Sequence, residues 1–352
     1  MKSQKQERMV VFILGNGFDL AHGLKTKYTH FLDGYPKEEL QKNIWFNHFN
    51  KKKEEIGENW FNIEEEIYKV LTKEINNRSS DVGSKTYVWH NIYKLTPDEI
   101  AKELYEGSII IKKGYRAFKD IDFATHSLRF FVDQFGKYLS EQLDDLNLTP
   151  KPKFQEFLKN GILFNSKFHQ YFSKIRIVNF NYTNTFEKLY SGYFCSEDGT
   201  LDISTYYVHG SINKNNLVLG TQDLLDLDLS YLYKNRDPRE SPFRIFTKES
   251  QRFDYGTNKE YQKLLKELEE TSRKSITFHI IGHSLDKADH KILNKILCYS
   301  GSEGNIGDIN IYRYKDNESL EILKNIEKIL QYTSCEERIS LTPLETIIEN
   351  DP

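Results

Sequence analysis

Residues Met9–Leu14 read Met-Val-Val-Phe-Ile-Leu, an unbroken apolar run that stops at Gly15-Asn16-Gly17-Phe18-Asp19. Such a run is too short for a buried helix and too uniform for a strand with one wet face. It fits a strand covered on both sides, as in a parallel sheet packed between helices. Runs rich in Val, Ile, Phe and Tyr at 175–180, Ile276–Ile281 and 309–314 repeat the pattern, and shorter ones at 205–208 and 217–219 are expected in the same sheet. Between them, 259–275 and 319–332 set Lys and Glu around apolar positions at three- and four-residue intervals, as amphipathic helices do. Strands alternating with helices predict an α/β fold with a doubly wound, Rossmann-like parallel sheet.

Between that first turn and the run at 175 lie about 150 residues, far more than one crossover helix needs. The expected division is a Rossmann-like nucleotide-binding domain of residues 1–34 and 172–352, interrupted by a mainly helical insertion at 35–171 that caps the crevice. Within the insertion, 44–70, 97–105 and 124–147 read as helices and the polar stretch 76–85 as a loop. A second insertion at 223–257 carries Asp-Leu repeats and a proline-bearing turn, and reads as a lid.

Forty-nine Lys and Arg against 52 Asp and Glu give a formal charge of −3, so attraction to nucleic-acid phosphates is not built into the whole chain. The 22 Tyr and 23 Phe follow helical spacing in most segments and read as core rather than as a base-stacking platform. Cys195, Cys298 and Cys335 are scattered and odd in number, which suggests neither a disulfide framework nor a cysteine zinc site and fits a reducing cytoplasm. The apolar stretch before Gly15 is too short for a signal peptide or a membrane span.

Four strand ends carry candidate chemistry. After the first strand, Gly15 and Gly17 allow a ligand close to the backbone, and the helix that follows offers N–H groups to a phosphate. Asn16, Phe18, Asp19 and His22 flank that turn, and Leu20 stands where the dinucleotide fingerprint has its third glycine. Asn181-Tyr182-Thr183-Asn184-Thr185 follows the second run, with Asn181 expected at the ligand and Asn184 expected to cap a helix in a capping box with Glu187. His209-Gly210 ends a third strand and presents an imidazole suited to general base work. Gly282-His283-Ser284-Leu285-Asp286 ends a fourth; Ser284 can reach a ribose, while Asp286 or Asp289 is expected to cap the next helix. Lys248 and Arg252, four apart, are spaced to clamp phosphate oxygens, with a solvated charged face as the plainer alternative. The spacing of His283, Asp286 and His290 matches no defensible zinc pattern, so no metal is expected.

The blocks Gly15-Asn16-Gly17-Phe18-Asp19-Leu20-Ala21-His22-Gly23-Leu24, Asn179-Phe180-Asn181-Tyr182-Thr183, His209-Gly210 and Gly282-His283-Ser284-Leu285, in that order, resemble the bacteriophage abortive-infection AbiH family. The resemblance implies a bacterial anti-phage role in which an infected cell stops growing or dies, and with it a phage-derived trigger. More distantly the series looks like sirtuin-type NAD-binding domains. That likeness implies NAD as ligand and substrate, Asn181 and His209 as the catalytic pair, and Gly15, Gly17, Gly282 and Ser284 as cofactor contacts. This sequence has His283 where those domains have Thr and lacks their four-cysteine zinc module, which argues against protein deacetylation.

The function expected is NAD hydrolysis to ADP-ribose and nicotinamide. Asn181 orients the ribose and water, His209 acts as base and Asp19 stabilises the developing cation. Asn16, Phe18, His22, Thr183, His283, Lys248 and Arg252 complete the expected contacts, and an oligomer interface or the helical insertion is expected to restrain the activity. Two alternatives stand beside it: a metal-dependent nuclease or nucleotide hydrolase built on Asp19, His22, His209 and His283, and a non-catalytic sensor of a nucleotide or phage protein.

Overall fold

A computed structural model describes residues 9–35, 38–56, 62–80, 121–145, 147–159, 174–194, 202–221, 245–271, 276–298, 308–314, 319–330 and 339–348. The strands are β1 (Met9–Leu14), β2 (Lys174–Asn179), β3 (Asp202–Tyr207), β4 (Ile276–Ile281), β5 (Ile309–Arg313) and β6 (Ile339–Pro343). The described helices are α1 (Asn16–Ala21), α2 (Tyr28–Gly34), α3 (Ile44–Ile56), α4 (Ile63–Ser80), α5 (Ile121–Asp145), α6 (Pro152–Glu156), α7 (Thr185–Tyr190), α8 (Lys248–Asp254), α9 (Thr257–Glu270), α10 (His290–Leu297) and α11 (Ser319–Ile329). Among the described residues no helix is long and apolar enough to cross a membrane.

Two compact units divide the chain: one of 1–26, 139–218 and 252–352, the other of 27–138 and 219–251. The first holds a six-stranded sheet in the order β3-β2-β1-β4-β5-β6, with every neighbouring pair parallel. β1 lies between β2 and β4 and is apolar and buried at every position. Met9, Val11 and Ile13 pack on one face with Leu264 and Leu268 of α9, Ile292, Leu293 and Ile296 of α10, and Ile322 and Ile326 of α11. Val10, Phe12 and Leu14 pack on the other with Phe18 of α1, Phe154 of α6 and Phe186 and Tyr190 of α7. Alternate side chains of a strand point to opposite faces, so each face receives its own helices.

The register aligns Leu14 with both Asn179 and Ile281, Asn179 with Tyr207, and Ile281 with Tyr312. All strands run the same way, so their carboxyl ends form one level rim. The chain continues outward on one side through β2 and β3 and on the other through β4, β5 and β6, so the order reverses between β1 and β4.

In the other unit the described residues are mostly helical. Asn43 caps α3, its Oδ1 accepting from Trp45 N–H and Phe46 N–H at 3.0 Å each, and Asn62 caps α4 by accepting from Glu65 N–H. Phe31, Phe49, Phe131 and Phe135 pack edge to face, and the Trp45 indole donates to the Ala124 carbonyl at 2.7 Å.

Several expectations change. The stretch 217–219 is buried but belongs to no strand; it lies beside the turn after β3, where Val218 N–H donates to the His209 carbonyl. Residues 76–80 are helical, not loop, because α4 runs to Ser80. The helix expected over 44–70 is two helices, with 57–61 outside the described residues. The expected helix at 97–105 and most of the second insertion, 223–244, also lie outside them. β6 was not foreseen: its polar Ser340 and Thr342 and terminal Pro343 suit a sheet edge, where a strand needs no second partner.

Candidate functional site

The rim of the sheet is built around contact between two glycine-bearing turns. Gly15 N–H donates to the Ile281 carbonyl at 3.0 Å, Gly17 N–H to the Gly282 carbonyl at 2.8 Å, and Phe18 N–H to the Gly15 carbonyl at 2.9 Å. A Cβ on Gly15 would lie 2.4 Å from His283 Cα, and one on Gly282, whose φ is +62°, would lie 2.4 Å from Phe18 N. The glycines therefore let the ends of β1 and β4 touch backbone to backbone. This corrects the expectation that the first turn keeps its amides for a phosphate: those of Gly15, Gly17 and Phe18 are satisfied within the protein. Asn16 accepts the Thr26 hydroxyl at 2.5 Å, and the Phe18 ring is wholly buried in the apolar core.

His22 is likewise structural. Its Nδ1 lies 2.7 Å from the Phe18 carbonyl and its Nε2 2.7 Å from the Tyr190 hydroxyl, with the ring against Phe18 at 4.4 Å. Both nitrogens are engaged, and the ring also meets Phe154 and Tyr190 edge to face in the core. The metal set imagined from Asp19, His22, His209 and His283 does not assemble, and among the described residues no three His, Cys, Asp or Glu are arranged to hold a metal ion.

Two polar clusters occupy the rim. The first joins the turns after β1 and β2. The Thr183 hydroxyl donates to Asp19 Oδ2 at 2.5 Å and the Thr185 hydroxyl to Thr183 Oγ1 at 3.1 Å. Asn181 Nδ2 donates to the Gly15 carbonyl at 3.0 Å, while Asn179 accepts from Asn181 N–H and donates to the Thr183 carbonyl. Asn179, the last residue of β2, thus shapes the turn that presents Asn181 and Thr183. Asp19 is 1% exposed, and its Oδ1 accepts no hydrogen bond of normal geometry among the described residues. Burial raises its pKa to about 6, against the opposing pull of Thr183 and Thr185 and with help from the Glu187 carboxylate. The expected capping box does not form: Asn184 makes no side-chain cap, and Glu187 accepts from the Tyr207 hydroxyl at 2.9 Å.

The second cluster joins the turns after β3 and β4. Asp289 Oδ1 lies 3.0 Å from His209 Nε2, and Asp289 Oδ2 lies 3.8 Å from His283 Nε2. On its other side His209 Nδ1 is 3.2 Å from Arg252 Nη2, and His283 Nδ1 accepts from Leu285 N–H at 2.9 Å. Phe180 stands edge-on to both imidazoles, at 5.2 and 4.5 Å. Leu285 holds φ +56°, a strained left-handed conformation for a branched side chain. Its N–H bond to His283 and the His290 Nε2 contact with its carbonyl, 2.9 Å, hold it there.

Asp286 and Asp289 divide the work expected of one of them. Asp286 accepts from Ala288 N–H at 3.5 Å, whereas Asp289 makes no cap and faces the histidines. Sequence reading missed Asp289 as a site residue; its separation of six from His283 carried no recognisable motif. Ser284 is exposed on the same turn. Lys248 and Arg252 do not act as one clamp: Lys248 Nζ pairs with Glu64 at 2.7 Å with its side chain 2% exposed, and Arg252 lies against His209 and Asp289.

The class so defined is a parallel α/β protein whose strand-end turns gather a buried carboxylate, carboxamides and a histidine pair beside Asp289 on one rim, next to the point where strand order reverses. Residues 11–303 match the family model described as Bacteriophage abortive infection AbiH, and the chain belongs to that family. Against curated proteins it shows no significant match.

Proposed function

We propose that this chain is a bacterial abortive-infection protein that acts by hydrolysing a nucleotide, with NAD as the substrate and ADP-ribose and nicotinamide as products. Family membership supports the anti-phage role. The strand order 3-2-1-4-5-6 supports reading the sheet as doubly wound, and such sheets take ligands beyond the carboxyl ends of their strands where the order reverses. The observation that carries the reading is that Asn181 and His209 follow the adjacent strands β2 and β3 on that rim, with His283 and Ser284 following β4.

In this reading Asn181 orients the ribose, His209 takes a proton from water, and the water oxygen bonds to the anomeric carbon as the bond to nicotinamide breaks. Asp19 acts through Thr183 and Asn181 as a positioning residue. Arg252 and Ser284 take the place of the glycine-turn amides as donors to the anionic part of the ligand. Purified protein is incubated with NAD and nicotinamide is followed. Turnover by wild type and its loss in Asn181→Ala and His209→Ala supports the reading; equal turnover by all three, or none by wild type with its phage trigger present, ends it.

A further inference from the structure

Hydrogen-bond chemistry fixes the protons of the second cluster. Arginine has donors and no acceptor, and a backbone N–H is likewise only a donor. His209 Nδ1, 3.2 Å from Arg252 Nη2, therefore presents a lone pair, as does His283 Nδ1, which receives Leu285 N–H at 2.9 Å. Each ring then carries its proton on Nε2. The Asp289 carboxylate lies beside both, Oδ1 3.0 Å from His209 Nε2 but out of hydrogen-bond alignment and Oδ2 3.8 Å from His283 Nε2, so it acts on those protons through its charge. A neutral imidazole accepts a proton only at its bare nitrogen. In His209 that atom is Nδ1, and the guanidinium of Arg252 covers it. Arg252 also lies 3.8 Å from Asp289 Oδ1, so its charge is held between carboxylate and ring.

We propose that Asp289 is a positioning residue that holds His209 as the Nε2–H tautomer with Nδ1 as its basic atom, and that Arg252 caps Nδ1 until an anionic ligand group, a phosphate, draws the guanidinium away. The inference rests on the reading that the rim binds an anionic nucleotide, and it deepens that reading. The base becomes available only beside a phosphate-bearing ligand, so a neutral nucleoside leaves the cap in place. Asp289 keeps the ring from turning to present Nε2 instead, much as carboxylates elsewhere fix the tautomer of a working histidine.

The test uses full-length protein labelled with nitrogen-15 in its histidine rings, with resonances assigned through His209→Gln and His283→Gln. Without ligand, both residues are expected to show protonated Nε2 and unprotonated Nδ1. Inorganic pyrophosphate is then added. The His209 Nδ1 resonance is expected to move toward that of a lone pair without a donor, and not to move in Arg252→Gln, whose His209 already has that position.

Asp289→Asn is expected to leave the fold intact, to mix the two tautomers of His209 once pyrophosphate has drawn Arg252 away, and to lower kcat at least tenfold with little change in KM. A protonated Nδ1 in His209, or an Nδ1 resonance that pyrophosphate leaves unmoved in wild type, overturns the proposal. So does an Asp289→Asn protein whose His209 tautomer stays single with pyrophosphate bound. The tautomer measurements need no turnover, so they stand or fall separately from the assignment of NAD as substrate.

Discussion

The Thr183 hydroxyl reaches across from the turn after β2 to bond Asp19 Oδ2 at 2.5 Å, tying that turn to the helix after β1 through a carboxylate that is 1% exposed. An ionised group so buried opposes folding. The pKa of Asp19 is near 6 in the folded protein against 3.8 for the free group, a difference of about two units or on the order of 3 kcal/mol. Because the folded value is the higher one, Asp19 contributes stability below about pH 4 that is lost as pH rises through 6. Asp19→Asn removes the charge, so it is expected to be the more stable protein at pH 8, with the gap closing toward pH 4. Denaturant titrations of both proteins at the two pH values check this; parallel pH dependence would sink it.

Glycine substitutions separate backbone contact from ligand contact. Gly15→Ala and Gly282→Ala each place a methyl 2.4 Å from a backbone atom, and at Gly282 the φ of +62° adds strain. Both are expected to lose several kcal/mol, on the order of 3 or more. A Cβ on Gly192 meets nothing within 4 Å, so Gly192→Ala is expected within about 0.5 kcal/mol of wild type. Thermal unfolding of the three proteins gives the comparison, and a well-folded Gly282→Ala contradicts the packing described.

His22→Ala tests whether this histidine serves the fold. It loses contacts at 2.7 Å to Phe18 and Tyr190 and leaves polar groups without them in an apolar core. A loss of about 2–3 kcal/mol is expected, with ligand affinity of the folded fraction unchanged. Calorimetry of ligand binding below the melting temperature provides the readout; an affinity loss of tenfold or more would make His22 a contact after all.

Lys248 and Arg252 are expected to behave oppositely despite their shared spacing. Lys248→Met disturbs a buried pair with Glu64 and should lower Tm while leaving ligand Kd unchanged. Arg252→Gln should weaken binding of a phosphate-bearing ligand at least tenfold with a smaller change in Tm. Matched thermal and binding measurements decide; equal affinity losses would restore the phosphate clamp.

Much of the sheet was legible because its inner strands carry their burial in their composition. Met9–Leu14 and Ile276–Ile281 are apolar enough to announce two covered faces, and each ends in a glycine turn. β6 escaped notice because an edge strand tolerates Ser340, Thr342 and Pro343, while 217–219 misled because apolar residues beneath a turn look like those in a strand. Asn181, His209 and His283 could be nominated as residues that follow strands. Phe18 and His22 stand next to Gly17 in sequence and so look like ligand contacts, yet the chain turns both into the core.

Neighbouring residues were enough for the parallel α/β architecture, the glycine turns that close its first and fourth strands and membership of the AbiH family, because burial pattern and local motif are short-range properties. Tertiary structure alone decided that the glycines serve backbone contact, that Asp19 is buried under Thr183, and that Asp289 stands between His209 and His283. Those relations join residues 80 to 268 positions apart, or depend on which way a side chain turns, and only packing of one element on another sets distance and desolvation at that range.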